Sequence, residues 1–122
     1  MKRFLVLTAL IATVAASAAL SAGAATGTSS VVNISVSPGS LHYNQKVVTA
    51  KAGLVRINFT NNSTTPHNVS LEHNGEFEYG ATLTIRKGIA TTFLTLARGT
   101  YHIYSSVGKD EDRGMAGTLI VK

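Results

Sequence analysis

Hydrophobic and polar residues alternate in short runs along most of the chain after residue 25. Residues 54–60 show the pattern most plainly, because Val55, Ile57 and Phe59 share one face and the polar residues at 56, 58 and 60 lie on the other. Turn residues separate the runs, and no later segment has an apolar stripe of helical period. The pattern predicts an all-β Greek-key sandwich, with extended segments at 31–37, 41–43, 46–50, 54–60, 67–72, 81–85, 90–96, 100–105 and 117–122.

The same alternation predicts the hydrophobic core. Its expected members are apolar residues at inward positions of the strands, or their strand neighbours: Val55, Ile57, Phe59, Val69, Leu71, Phe93, Leu119 and Val121. Burial of each such side chain contributes about 1.5–3 kcal/mol. We therefore expect the domain to keep its fold without a metal.

The N-terminus has the organisation of a secretory signal peptide. Two basic residues precede an apolar run at 4–20, and small residues follow that run. The small-x-small patterns at 16–18 and 22–24 both suit a signal peptidase. Cleavage after Ala24 is favoured because it leaves a polar start, so that 1–24 is the signal peptide and 25–122 is one mature domain. The alternative is an uncleaved anchor, for which the run is only marginally long. We expect a secreted or periplasmic protein of the cell envelope that, once cleaved, is not an integral membrane protein.

The charge of the chain gives no sign of a nucleic-acid partner. The net charge of +5 falls to +3 once the two basic residues of the signal peptide are removed, and the other Lys and Arg residues are scattered. The sequence predicts no basic helix and no exposed aromatic ladder. We expect a monomer whose partner is an envelope or secreted protein, with no nucleic acid bound.

The chain contains no cysteine. Small exported domains often depend on disulfides, so this core must suffice alone. The absence excludes thiolate metal ligands, thiol catalysis and cysteine zinc sites. The Gly-x-Ser-x-Gly turn of the serine hydrolases is also missing, and we expect no enzymatic activity.

Two stretches carry the most specific signal in the sequence. They are Pro66-His67-Asn68-Val69 and a longer segment that runs from Tyr101 to Gly117. These stretches resemble the two metal-binding segments of the cupredoxins, the small blue-copper proteins, and the resemblance covers residues 31–122. It implies a sandwich of seven to eight strands. It also implies electron transfer by a copper ion held by two His, one Cys and one Met.

The resemblance implies four ligand positions, of which two hold altered residues. His67 occupies the first His position and Met115 the Met position, whereas Ser105 stands at the Cys position and Asp110 at the second His position. A serine hydroxyl ionises far above neutral pH, while the pKa of cysteine is about 8.5. Ser105 therefore cannot supply the thiolate of a blue site, although Asp110 can bind Cu(II).

Two functional hypotheses follow from these altered positions. The first is a non-enzymatic binding or interaction module that keeps the cupredoxin fold without electron transfer. The second is a protein for copper storage or delivery, in which His67, Asp110 and Met115, with Ser105 or water, hold copper in a non-blue site. Copper is the one candidate cofactor. Electron transfer through a blue site is what the resemblance implies and what the missing Cys contradicts.

The other histidines are expected outside this site. His102 shares a strand with Ser105 but has the opposite parity, so its side chain should point away from the ligand position. His42 and His73 lie in predicted turns. The loop 109–113 mixes three acids with two bases, which favours a solvated loop; the alternative is a rim that recognises a partner.

Overall fold

The computed structural model describes residues 29–73 and 78–122, so the predicted signal peptide at 1–24 lies outside the described residues. Eight strands are present in the described part: β1 (Ser30–Val36), β2 (Val47–Ala50), β3 (Gly53–Asn61), β4 (Ser70–His73), β5 (Glu78–Ala81), β6 (Gly88–Leu96), β7 (Gly99–Tyr104) and β8 (Ala116–Val121). In this part of the chain, no helix is long and apolar enough to cross a membrane.

The strands form two sheets. The smaller sheet has the order β1-β3-β6, and the larger has the order β2-β8-β7-β4-β5. The pairs β1–β3 and β2–β8 are parallel, and the remaining pairs are antiparallel. The sequence prediction of an all-β sandwich with seven to eight strands is confirmed.

The core contains side chains from both sheets. β3 contributes Val55, Ile57 and Phe59, which are buried as the alternation predicts. Tyr43 joins the core although the predicted extended segment at 41–43 is not a strand. Its ring meets that of Phe59 edge to face, with centroids 6.2 Å apart.

Strand β6 turns a different face to the core from the one that the sequence analysis expected. Phe93 is 55% exposed, whereas Ala90 and Leu96 are buried. Apolar residues occupy both parities of this strand, and a shift of one residue exchanges the two faces. Phe93 itself was wrongly assigned to the core for this reason, and its strand neighbour Leu94 packs against the core instead.

The chain around His67 also differs from the predicted strands. The strand expected at 67–72 begins only at Ser70, and His67 makes a single antiparallel bridge with Ile85. The strand expected at 81–85 is not formed. Instead, β5 covers the preceding residues and ends at Ala81. β5 pairs with β4 through a register shift, which alternation along one strand cannot reveal.

Candidate functional site

The two segments that carry the cupredoxin resemblance meet in the structure. His67 precedes β4, and Ser105 directly follows β7. β4 and β7 are antiparallel neighbours, so the start of one strand lies beside the end of the other. The chain between β7 and β8 then carries Asp110 and Met115. The topology thus brings all four predicted ligand positions to one end of the central strands of the larger sheet.

Three of these positions form a hydrogen-bonded group, which we call the Asp110 cluster (His67, Ser105 and Asp110). Asp110 Oδ2 lies 2.7 Å from His67 Nδ1 and accepts a 2.7 Å hydrogen bond from the Ser105 hydroxyl. The three residues are buried, none more than 6% exposed. Burial of a carboxylate is costly unless it is hydrogen-bonded. Here a single carboxylate oxygen bonds both partners.

Met115, the fourth position, is fully buried, and its backbone closes the loop that carries Asp110. Its amide donates to the Asp110 carbonyl at 3.0 Å, and its carbonyl accepts from the Ser105 amide at 3.1 Å. Gly108 and Gly114, near the two ends of the loop, have φ angles of 51° and 110°. Glycine adopts such angles without the strain that a Cβ would bring. The loop backbone therefore fixes the direction in which Asp110 enters the cluster.

Asn68 ties the two segments together. Its side chain donates to the Ser106 hydroxyl and accepts from the Ser106 amide, both at 2.9 Å. Its carbonyl accepts a 2.6 Å hydrogen bond from the Tyr43 hydroxyl. Burial, and next the negative charge of Asp110, raise the pKa of Tyr43, so that its phenol stays a neutral donor. The sequence analysis missed the structural roles of Asn68 and Tyr43. Only the position of Asn68 next to His67 could have indicated the first of these roles.

A second buried amide shapes the loop that leads to His67. Asn61 donates from its side chain to the carbonyls of Thr65 and Ile85, each at 2.8 Å. Its side-chain oxygen accepts from the Ser63 amide at 2.9 Å and from the Ser63 hydroxyl at 2.8 Å. Every bond that this amide can readily make is used. The loop is thereby fixed just before His67.

The remaining histidines lie outside the cluster. His102 Nε2 is 2.7 Å from Glu111 Oε2, and both side chains are substantially exposed. His73 stacks on the ring of Tyr101 with centroids 4.5 Å apart, and His42 is exposed. Among residues 29–73 and 78–122, no three His, Cys, Asp or Glu side chains gather as a metal-binding group.

The donor set does not fit a blue-copper ion. The position that needs a thiolate offers the hydroxyl of Ser105, which is a hard and weak ligand for copper. The spacing is also too short, because two ligand atoms about 2.0 Å from a tetrahedral metal lie about 3.3 Å apart. His67 Nδ1 and Ser105 Oγ each approach Asp110 Oδ2 to 2.7 Å. These are hydrogen-bond distances.

The cluster contains the residue types of a hydrolytic triad, but it connects them differently. In a triad, the serine hydroxyl bonds to the histidine, and the histidine bonds to the carboxylate. Here Ser105 and His67 both bond to Asp110. In this arrangement the imidazole does not receive the proton of Ser105, so the contacts are not those of an activated nucleophile.

Comparison with known structures gives the fold. Auracyanin from Roseiflexus castenholzii superposes with a TM-score of 0.71 at 22% identity, over 79% of this chain and 99% of that one. Auracyanin A from Chloroflexus aurantiacus, described as a "blue" copper protein, gives 0.69 at 21% identity, over 75% and 98% of the two chains. An azurin from Methylomonas sp. strain J gives 0.65 at 15% identity, over 78% and 99%. The protein has the cupredoxin fold.

Comparison with protein-family models identifies the family to which the chain belongs. No curated protein matches the sequence. The family model described as PQQ-associated matches residues 6–122, which is nearly the whole chain. The protein, with its cupredoxin fold, therefore belongs to the PQQ-associated family.

Proposed function

We propose that this protein is an exported, non-enzymatic interaction module in which the Asp110 cluster takes the place of a copper ion. The observation that carries the proposal is the direct contact of Asp110 Oδ2 with His67 Nδ1 and Ser105 Oγ, at 2.7 Å each. These contacts hold the two segments together without a metal. Because the chain also lacks the thiolate of a blue site, blue-copper electron transfer is not part of the proposal.

The proposed setting rests on two further observations. The basic and apolar N-terminal pattern supports export to the cell envelope. The description of the family supports a partner that contains or handles PQQ. Since the Asp110 cluster is buried, we propose that surface residues of this chain make the contact with that partner.

Copper storage or delivery through a non-blue site is the second candidate. One observation favours it: an imidazole nitrogen and a carboxylate oxygen, both good ligands for Cu(II), lie side by side in His67 and Asp110. Met115 is buried in the same loop and would supply a soft sulfur ligand. Copper would have to displace the proton between the two side chains and move them apart.

The metal content of the protein purified from its own cell envelope separates the two candidates. We expect far less than one copper per chain, and no intense visible band when Cu(II) is added. A cupredoxin with a complete blue site, produced and purified in parallel, controls for the supply of copper. One copper per chain in a pale site would establish the second candidate instead. An intense blue band would overturn both candidates.

A further inference from the structure

The outer face of the smaller sheet carries one charged residue among apolar side chains. Arg56 is the only charged residue in β1, β3 and β6. Val31 is its partner in the register of β1, and Phe93 is its partner in the register of β6. Leu54 lies two residues before Arg56 on the same face. Together these four residues form what we call the Arg56 patch.

The apolar members of the Arg56 patch are about half exposed. Val31 is 46%, Leu54 50% and Phe93 55% accessible to solvent. Contiguous exposed apolar groups of this kind on a folded domain are typical of binding surfaces. Arginine and the aromatic residues, Phe included, are also enriched at protein interfaces relative to the rest of the surface.

A row of bonded polar residues borders the patch. Asn58 donates to Asn33 at 3.0 Å, and Thr91 donates to Asn58 at 2.9 Å. These three residues form the next row of the same face: two residues after the patch in β1 and β3, and two residues before it in the antiparallel β6. A largely apolar patch beside a row of hydrogen-bonded polar residues is an arrangement typical of protein interfaces, which have a polar rim.

The charge at the centre of the patch selects the partner. In the described part of the chain, Arg56 has no ion-pair partner, and the three strands around it contain no acid. A guanidinium binds a carboxylate through two parallel hydrogen bonds. We propose, on the basis of the interaction-module function above, that the Arg56 patch docks a partner protein presenting one carboxylate surrounded by apolar side chains.

The same charge argues against two other occupants. If two copies of this chain paired symmetrically through the patch, Arg56 of each would meet its counterpart near the two-fold axis, and like charges repel. An anionic membrane attracts clusters of about 4–8 Lys and Arg residues, whereas this face carries one. A protein with a complementary carboxylate satisfies both the charge and the apolar surroundings.

The test uses three soluble peptides that differ at one residue. Each has a central residue between Leu and Phe and is flanked by Gly-Ser repeats; the central residue is Glu, Gln or Lys. The full chain is expressed with ¹⁵N label, purified from the cell envelope and titrated with each peptide by NMR. We expect the Glu peptide to shift the amide signals of Leu54, Arg56 and Phe93. It should bind at least tenfold more tightly than the Gln peptide.

Matched variants separate the patch from general surface effects. Arg56→Glu should reverse the order, so that the Lys peptide binds more tightly than the Glu peptide. Arg98→Glu, at an exposed turn, should leave the order unchanged. Phe93→Thr should weaken the Glu peptide at least threefold, whereas Leu83→Thr, which alters a more exposed apolar residue outside the patch, should not.

Several outcomes would overturn the proposal. They are equal affinities for the Glu and Gln peptides, shifts confined to another face, or no shift up to the solubility limit of the peptide. Dimerisation, or binding to anionic vesicles, that Phe93→Thr abolishes would assign the patch to one of the other occupants. The copper content is measured separately, so a copper-loaded protein that still prefers the Glu peptide would refute the proposed function and leave the docking surface standing.

Discussion

The charged groups of the Asp110 cluster and of the Arg56 patch differ in their burial and in their partners. In the cluster, a buried carboxylate has two hydrogen-bond partners within the chain. In the patch, an exposed guanidinium lies among apolar side chains, and no described residue pairs with it. Buried polar groups with internal partners specify a fold, whereas an exposed charge with an apolar surround can act on another molecule. From this difference we infer a structural role for the ligand positions of this cupredoxin fold, and we propose that contacts with a partner are made at the Arg56 patch instead.

Introducing the two missing copper ligands should produce the largest change, because the Asp110 cluster would then become a blue-copper site. Ser105→Cys with Asp110→His supplies a thiolate and a second imidazole at positions that already belong, with His67, to one hydrogen-bonded cluster. We expect an intense visible charge-transfer band with Cu(II) from this variant, and none from the unaltered protein, which has no thiolate. Absorption spectroscopy of the copper-loaded variant measures it.

The single variant Asp110→His is the control for this experiment. It should give a colourless or pale copper complex, because the thiolate is still absent. A double variant that folds, binds copper and stays colourless would show that the loop does not direct position 110 towards the other donors. Asp110 would then no longer be assigned to a ligand position.

Removal of the carboxylate should cause the next largest effect. Asp110→Ala leaves His67 Nδ1 and Ser105 Oγ without their partner, and each unsatisfied buried group costs about 1–3 kcal/mol. We expect the free energy of unfolding, measured by urea denaturation, to fall by about 2–4 kcal/mol. Asp112→Ala removes an exposed acid of the same loop and should change it by less than about 0.5 kcal/mol. Equal effects would mean that the cluster adds nothing to stability.

Tyr43→Phe tests the support behind the cluster and should have a smaller effect. It leaves the Asn68 carbonyl without its 2.6 Å hydrogen bond, which should cost about 1–3 kcal/mol at neutral pH. Tyr79→Phe, at an exposed ring, is the matched control and should cost less than about 0.5 kcal/mol. A loss no larger than that of the control would show that this bond does not stabilise the site.

The same variant predicts a change at alkaline pH. The pKa of Tyr43 in the folded protein is raised above its ordinary value of 10.0. Its contribution to stability is therefore fully present below pH 10 and is lost as the pH rises above 10. The stability of Tyr43→Phe should decline less steeply over that range. Burial also raises the pKa of Tyr101 and Tyr104, so part of the decline should remain. Identical slopes would contradict this assignment.

The buried face of a strand could be predicted best from the sequence where polar residues mark the opposite, solvent-facing side. In β3, alternation gave Val55, Ile57 and Phe59 as core residues, because their polar neighbours mark the other face. In β6, apolar residues at both parities left the orientation undetermined, and Phe93 was misplaced. The same ambiguity hid the Arg56 patch, since the exposure of Phe93 is part of the observation.

The residues of the site could be predicted from the sequence, but the hydrogen bonds between them could not. The cupredoxin resemblance allowed four ligand positions to be identified from their spacing in the sequence: His67, Ser105, Asp110 and Met115. The shared hydrogen bonds at Asp110 could not be identified in this way, because they depend on how the β7–β8 loop folds back. Tyr43 lies 25 residues from its partner Asn68, and only the tertiary structure brings such distant residues together.

The thermal midpoint of the purified protein, measured with a chelator and again with Cu(II), tests the central claim most directly. A ligand that binds only the folded state adds about 2.7 kcal/mol of stability at 100 times its Kd. For a domain of about 60–100 residues, each kcal/mol raises Tm by about 4–8 °C. If the Asp110 cluster closes the site without a metal, neither addition should move Tm measurably. A rise of about 10 °C or more with Cu(II) that the chelator reverses would show that the folded protein binds copper, and the account would be contradicted.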